Sequence, residues 1–210
     1  MTYRDRHVAG AELARRLHRY AGRSDVVVLG MVRGGVPVAV EVADRLPAPL
    51  DVLVVRKLGV PWAPEVAFGA LGPGGVKVLN ERVVARLEPL AVRAVLRRET
   101  AEMGRRERQY RGGRAPLDLA GRTAIVVDDG LATGASARAG VAATRRMGAV
   151  RVVLAVPVGA REALNALAAV ADEVVCPLVP ARFGAVSRYY DDFRQVDDDE
   201  VVTLLAASPP

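Results

Sequence analysis

Ile125-Val126-Val127-Asp128-Asp129-Gly130-Leu131-Ala132-Thr133-Gly134-Ala135-Ser136 joins an unbroken apolar run to two carboxylates and a turn rich in glycine and hydroxyls. The β-branched run predicts a strand covered on both faces, as in a parallel sheet flanked by helices. A helix is expected to begin near Ala135. Such a turn can aim backbone N–H groups and the positive end of a helix dipole at a phosphate, while Thr133 and Ser136 add hydroxyl donors. The two carboxylates would repel a phosphate but suit sugar hydroxyls or a cation. A phosphorylated sugar satisfies both halves of the stretch.

Four similar apolar runs flank this one: Val26 to Leu29, Val52 to Val55, Val152 to Val156 and Glu173 to Cys176. Helical patterns separate most of them. Leu13, Leu17 and Tyr20 share a helical face, Val36 to Leu46 and Ala135 to Met147 read as crossovers, and Ala163, Leu164 and Leu167 form an apolar stripe within Arg161 to Val170. The alternation predicts a doubly wound α/β fold with a mainly parallel five-stranded sheet. Gly59 to Gly75 reads as a Gly/Pro-rich loop, with a hairpin where Phe68 to Leu71 meets Val76 to Leu79. Leu90 to Tyr110 reads as a long charged helix, and Asp197 to Asp199 as the cap of a last helix ending near Leu205. No repeat or linker divides the chain, so a single domain over 1–210 is expected.

The chain has 210 residues, 51% of them hydrophobic, and a net charge of +6. That charge permits an anionic partner without choosing among nucleic acid, acidic membrane and phosphorylated metabolite. No apolar run is long enough to span a membrane, and the amino terminus lacks a signal-peptide pattern, so a cytoplasmic protein is expected. Cys176 stands alone and the histidines are only His7 and His18, which excludes an internal disulfide and gives no zinc-type cluster. Cys176 is expected to be a buried structural thiol.

Ligands of open parallel sheets bind beyond the carboxyl ends of the strands. Three segments there are distinctive: Arg33-Gly34-Gly35, Arg56-Lys57, and Asp128 to Ser136. The last resembles the signature of the type I phosphoribosyltransferase family, in the adenine and xanthine version. Ala132 stands where hypoxanthine-type members carry an aspartate. The resemblance implies binding of 5-phosphoribosyl 1-pyrophosphate (PRPP) by Asp128, Asp129, Gly130, Leu131, Ala132, Thr133, Gly134, Ala135 and Ser136. It implies a pyrophosphate loop at Arg33, Gly34 and Gly35, and a basic pair, Arg56 and Lys57, opening a mobile catalytic loop at about 57–80. The core would run over about 25–176 and a hood over about 177–210.

The implied reaction displaces pyrophosphate from the anomeric carbon by a nitrogen nucleophile. Asp128 and Asp129 would hold the ribose, while Arg33, Lys57 and Mg²⁺ would stabilise the leaving diphosphate. The Mg²⁺ would arrive with PRPP, with Asp128 and Asp129 as its candidate protein ligands. Phe183, Tyr189 and Tyr190 are candidates to stack an acceptor base, with Trp62 as another, but the same rings serve equally well as packing anchors. A homodimer is the family's common form, so the resemblance implies a homo-oligomer. The expected ligand is PRPP or a nucleotide containing ribose 5-phosphate, and the alternative to an enzyme is a regulator that senses PRPP in the same pocket and binds RNA or DNA. The long helix supplies the basic charge for such a role, although pairs such as Glu102 and Arg106 also suit a solvated face.

Overall fold

The computed structural model describes residues 2–208, apart from the side chains of Pro64 and Glu65. Helix α1 spans Arg6–Arg16, and its N-cap Asp5 accepts from the Val8 amide at 2.8 Å. Strand β1 (Val26–Met31) and helix α2 (Gly35–Arg45) form the first strand–helix unit. Then come β2 (Leu50–Leu53), β3 (Arg56–Val60), β4 (Ala63–Gly72) and β5 (Val76–Leu79). After a short helix α3 (Glu81–Val84), the chain forms the long α4 (Pro89–Arg111), β6 (Thr123–Val127), α5 (Ala135–Arg146) and β7 (Arg151–Ala155). Helix α6 (Arg161–Ala168), β8 (Glu173–Val175) and α7 (Asp198–Ala207) complete it.

Five strands form a parallel sheet in the order β2-β1-β6-β7-β8. Strands β1, β2, β6 and nearly all of β7 bury both faces, as their unbroken apolar runs require, and the edge strand β8 is half-buried. Val26 and Val28 of β1 pack with α1, α2, α4 and α7, whereas Val27, Leu29 and Met31 pack with α5 and α6. Beyond β1 the chain adds one strand to one side and then returns to add three on the other. The switch point therefore lies between β1 and β6, where such sheets open a crevice for ligands. The segments leaving those two strands are Arg33 to Gly35 and Asp128 to Ser136.

Three sequence expectations are corrected. Gly59 to Gly75 is not a loop: β3, β4 and β5 form an antiparallel sheet in which Arg56 faces Leu71 and Ala70 faces Val78. The expected hairpin is its β4–β5 half, and the first half escapes notice because a register shift at Leu58 to Val60 breaks its alternation. The second parallel strand ends at Leu53, so Arg56 and Lys57 open β3 of the smaller sheet instead of closing the larger one. Finally, α7 within the expected hood packs into the core, and residues 209 and 210 lie outside the described ones. Helix α7, capped by Asp197 through the Glu200 amide at 2.7 Å, buries Val201 and Leu205 in the main core.

Helix α4 is amphipathic as well as basic. Val92, Val95, Glu99, Met103 and Tyr110 are buried along it, while Glu102 pairs with Arg105 and Arg106 at 2.8 and 2.7 Å. No helix among the described residues is long and apolar enough to cross a membrane.

Candidate active site

The end of β6 delivers Asp128 and Asp129 to the switch point. The Asp129 amide donates to Asp128 Oδ1 at 2.9 Å, which orients that carboxylate. The Leu131 amide donates to Val158 O, and the Ala160 amide returns the bond to Leu131 O, tying the turn to the segment after β7. Gly134 has φ +78°, a left-handed conformation that a side chain would strain, and α5 starts directly after it without a side-chain cap. Its first-turn amides are consequently free to meet a ligand. Thr133, Ala135 and Ser136 are exposed around this helix start, as is Ala132.

The segment after β1 comes against the acidic pair. A Cβ on Gly34 would run into the Asp129 carboxylate, and one on Gly35 would sit 2.6 Å from Val127 O and 2.9 Å from Asp128 Cα. Only glycines allow this approach, so the two segments singled out in the sequence form one site. The Val32–Arg33 peptide bond is cis. Arg33 is partly exposed and reaches Asp198 Oδ1 at 3.5 Å, which also accepts from the Tyr110 hydroxyl at 2.7 Å.

The acidic pair has a counter-ion that no sequence pattern singled out. Arg6, at the start of α1, donates from Nε and Nη2 to Asp129 Oδ2 at 2.9 and 2.8 Å. Burial pushes Asp128 well above the usual carboxylate range, and the neighbouring Asp129 charge pushes it further. Burial also raises Asp129, but the Arg6 guanidinium opposes that rise. The two carboxyls titrate as a pair, and the Arg6 guanidinium favours the charged form on the Asp129 side. The protein donors to this pair leave Asp128 Oδ2 and Asp129 Oδ1 available to a ligand.

Arg56 and Lys57 separate in function. Arg56 donates to the buried Glu99 on α4 at 3.0 and 2.7 Å, so it anchors the small sheet to that helix. Lys57 lies on the other face of β3 and is exposed. It pairs with Ala70 across β3 and β4, and Ala70 with Val78, which puts all three on one sheet face. Ala70 and Val78 line a cavity of about 410 Å³, walled on its other side by Thr133, Gly134 and Ala135. Register therefore turns Lys57 toward the side of the small sheet that faces the start of α5.

The aromatic candidates also separate. Tyr190 is buried, donates to the Asp129 carbonyl at 2.6 Å and lies against Tyr3 and Phe193. It is a packing anchor, with no free face for a base. Phe183 and Tyr189 stack on each other with ring centroids 5.7 Å apart and remain partly exposed. Trp62 is exposed at the tip between β3 and β4. Cys176 is half-buried; its thiol is pushed up to about 12 by burial and donates to Leu178 O at 3.3 Å, which fits an inert structural role.

The phosphoribosyl transferase domain family model matches residues 4–194. This chain belongs to the phosphoribosyl transferase family. A Mycobacterium tuberculosis H37Rv protein, provisionally named a phosphoribosyl transferase, is 54% identical over 203 residues, covering 96% of the chain and 46% of the relative. The same match is found in the protein of strain CDC 1551. The chain thus spans about half the length of these relatives. The crystal structure of TT1426 from Thermus thermophilus superposes with a TM-score of 0.83 at 43% identity, covering 98% of each chain. AQ2163 from Aquifex aeolicus shares the fold at a TM-score of 0.54 and 13% identity, over 85% of this chain and 76% of its own. The family match includes Arg6, Arg33 to Gly35 and Asp128 to Ser136, and it ends before α7.

Proposed function

We propose that this phosphoribosyl transferase family member binds PRPP with Mg²⁺ and transfers the phosphoribosyl group to a nitrogen acceptor, releasing pyrophosphate. The observation that carries the reading is the contact of Gly34 and Gly35 with Asp129 and Asp128 at the switch point, beside the uncapped start of α5. The start of α5, the pair of carboxylates and the glycine-lined slot would then correspond to the 5-phosphate, ribose and diphosphate of PRPP.

In this reading the amides around Thr133 to Ser136 hold the 5-phosphate, and the Thr133 and Ser136 hydroxyls add donors. Asp128 and Asp129 accept the ribose hydroxyls. As positive charge develops on the sugar, the acidic pair stabilises it. Backbone amides of Gly34 and Gly35 and the Arg33 guanidinium receive the departing diphosphate. Lys57 adds a cation from the small sheet. Most of the rate comes from positioning these groups before the bond breaks.

The free oxygens of Asp128 and Asp129 are hard donors suited to Mg²⁺, which commonly binds one or two carboxylates together with substrate phosphates. When bound, Mg²⁺ supplies charge neutralisation at the diphosphate. Phe183 and Tyr189 flank the acceptor side in this reading. Calorimetric titration with PRPP and Mg²⁺, followed by a pyrophosphate-release screen against purines, pyrimidines and amines, tests the proposal. Saturable binding and acceptor-dependent release are expected. Absence of binding would overturn the ligand assignment, and binding without release would reject the transferase activity.

A further inference from the structure

We infer that Arg6 is a positioning residue for ribose recognition: it commits one oxygen of Asp129 to the scaffold and leaves the other for the ligand. The inference rests on the phosphoribosyl reading above and adds a residue outside the three strand-end segments.

Arg6 is 8% exposed. Two of its donors converge on the same Asp129 oxygen, Oδ2, and Nη1 donates to Arg194 O at 2.8 Å. Its guanidinium carbon lies 4.0 Å from the Phe193 ring centroid. The carboxylate is caught between this fork and the Gly34 backbone, so its rotation is fixed. Among the described residues, no protein donor reaches Oδ1.

A buried guanidinium is costly unless its partners are well placed, so its position calls for a reason. Holding the two terminal segments together is not that reason, because the main chain already does so. The Tyr3 amide donates to Tyr189 O, the Asp191 amide to Tyr3 O, and the Asp192 amide to Arg4 O, at 2.8, 2.8 and 2.9 Å. Just beyond this strap Arg6, at the start of α1, meets the Asp129 side chain, while Tyr190 holds the Asp129 carbonyl. The pair of charges therefore serves the carboxylate's orientation. A cavity of about 310 Å³ beside it, bounded by Arg6, Arg33, Gly34, Asp129 and Phe193, leaves the region open to solvent.

The test compares the full chain with its Arg6→Gln and Arg6→Lys variants by calorimetry, using three probes: Mg-PRPP, ribose 5-phosphate and metal-free pyrophosphate. Arg6→Gln is expected to weaken both sugar probes by about tenfold or more, the scale of a lost charge-assisted hydrogen bond. Metal-free pyrophosphate, which does not call on Asp129, should change by less than about threefold. Arg6→Lys should fall between the wild type and Arg6→Gln for the sugars. Unchanged sugar affinity in Arg6→Gln, an equal loss for all three probes, or Arg6→Lys no better than Arg6→Gln would overturn the inference. If Arg6→Gln shows no cooperative thermal transition, Arg6→Lys decides: a loss confined to the sugar probes supports the inference and an equal loss across probes rejects it. A wild type that binds neither sugar probe would instead reject the phosphoribosyl reading itself.

Discussion

Asp128 combines a backbone hydrogen bond, a charged neighbour and partial burial. Its raised pKa means that the folded state binds a proton more tightly than the unfolded chain. The resulting penalty is absent below the unfolded carboxylate pKa and grows as pH rises from there toward the folded value. Asp128→Asn keeps the acceptor for the Asp129 amide and removes the penalty. Its thermal midpoint is therefore expected to exceed the wild type by a few degrees at neutral pH, with the gap closing below about pH 4. The same variant should lose PRPP binding, so scanning calorimetry and ligand titration should move in opposite directions. Gly34→Ala should behave differently, because its Cβ would strike Asp129: both midpoint and affinity are expected to fall. The acidic pair and its glycines were legible because chemistry and turn signals lie side by side in the chain. Arg6 was not, since it is separated from Asp129 by 123 positions and is one arginine among many.

At the scale of elements, the ion pair between Arg56 and Glu99 joins the small sheet to α4. Glu99 is buried and accepts from both Arg56 and Arg98. Replacing it with alanine would leave Arg56 without its partner, at a cost of roughly 1 to 3 kcal/mol. Hydrogen exchange should show this locally: amides of β3 and β4 are expected to exchange faster, while those of β1 and β6 keep their protection. Unchanged exchange in β3 and β4 would contradict the anchoring role. Glu99 had a sequence signal that went unused, because it falls on the same helical stripe as Val92, Val95 and Met103. A carboxylate on an apolar stripe needs a buried partner. Asp51 carries a similar signal inside the apolar β2, where it accepts from Arg111 at 3.1 Å and from the Leu117 amide at 3.2 Å. The small sheet itself was hard to read because glycine, proline and a register shift obscure the period of two that identifies a strand.

Across the whole molecule, α7 closes the apolar face formed by α2 and α4, although its sequence lies beyond the family match. Leu205→Ala is expected to lower global stability by about 2 to 5 kcal/mol, measured by urea unfolding, without selective loss at the ligand site. The alternation of strands and helices revealed the fold class, but strand order depends on contacts distant in sequence and could not be read from periodicity. It is that order which makes β1 and β6 neighbours and brings Arg33 to Gly35 onto Asp128 and Asp129. The strap carries this dependence further. Synthesis delivers Arg6 first, Asp129 more than a hundred residues later, and Tyr190 another 61 positions on. A ribosome-bound chain can form the first strand–helix unit early, yet the acidic pair must wait until Tyr190 has emerged before both clasps are present. Long separations of this kind delay closure. Competence to recognise a ligand should consequently be acquired well after the core strands of a newly made chain have begun to pair.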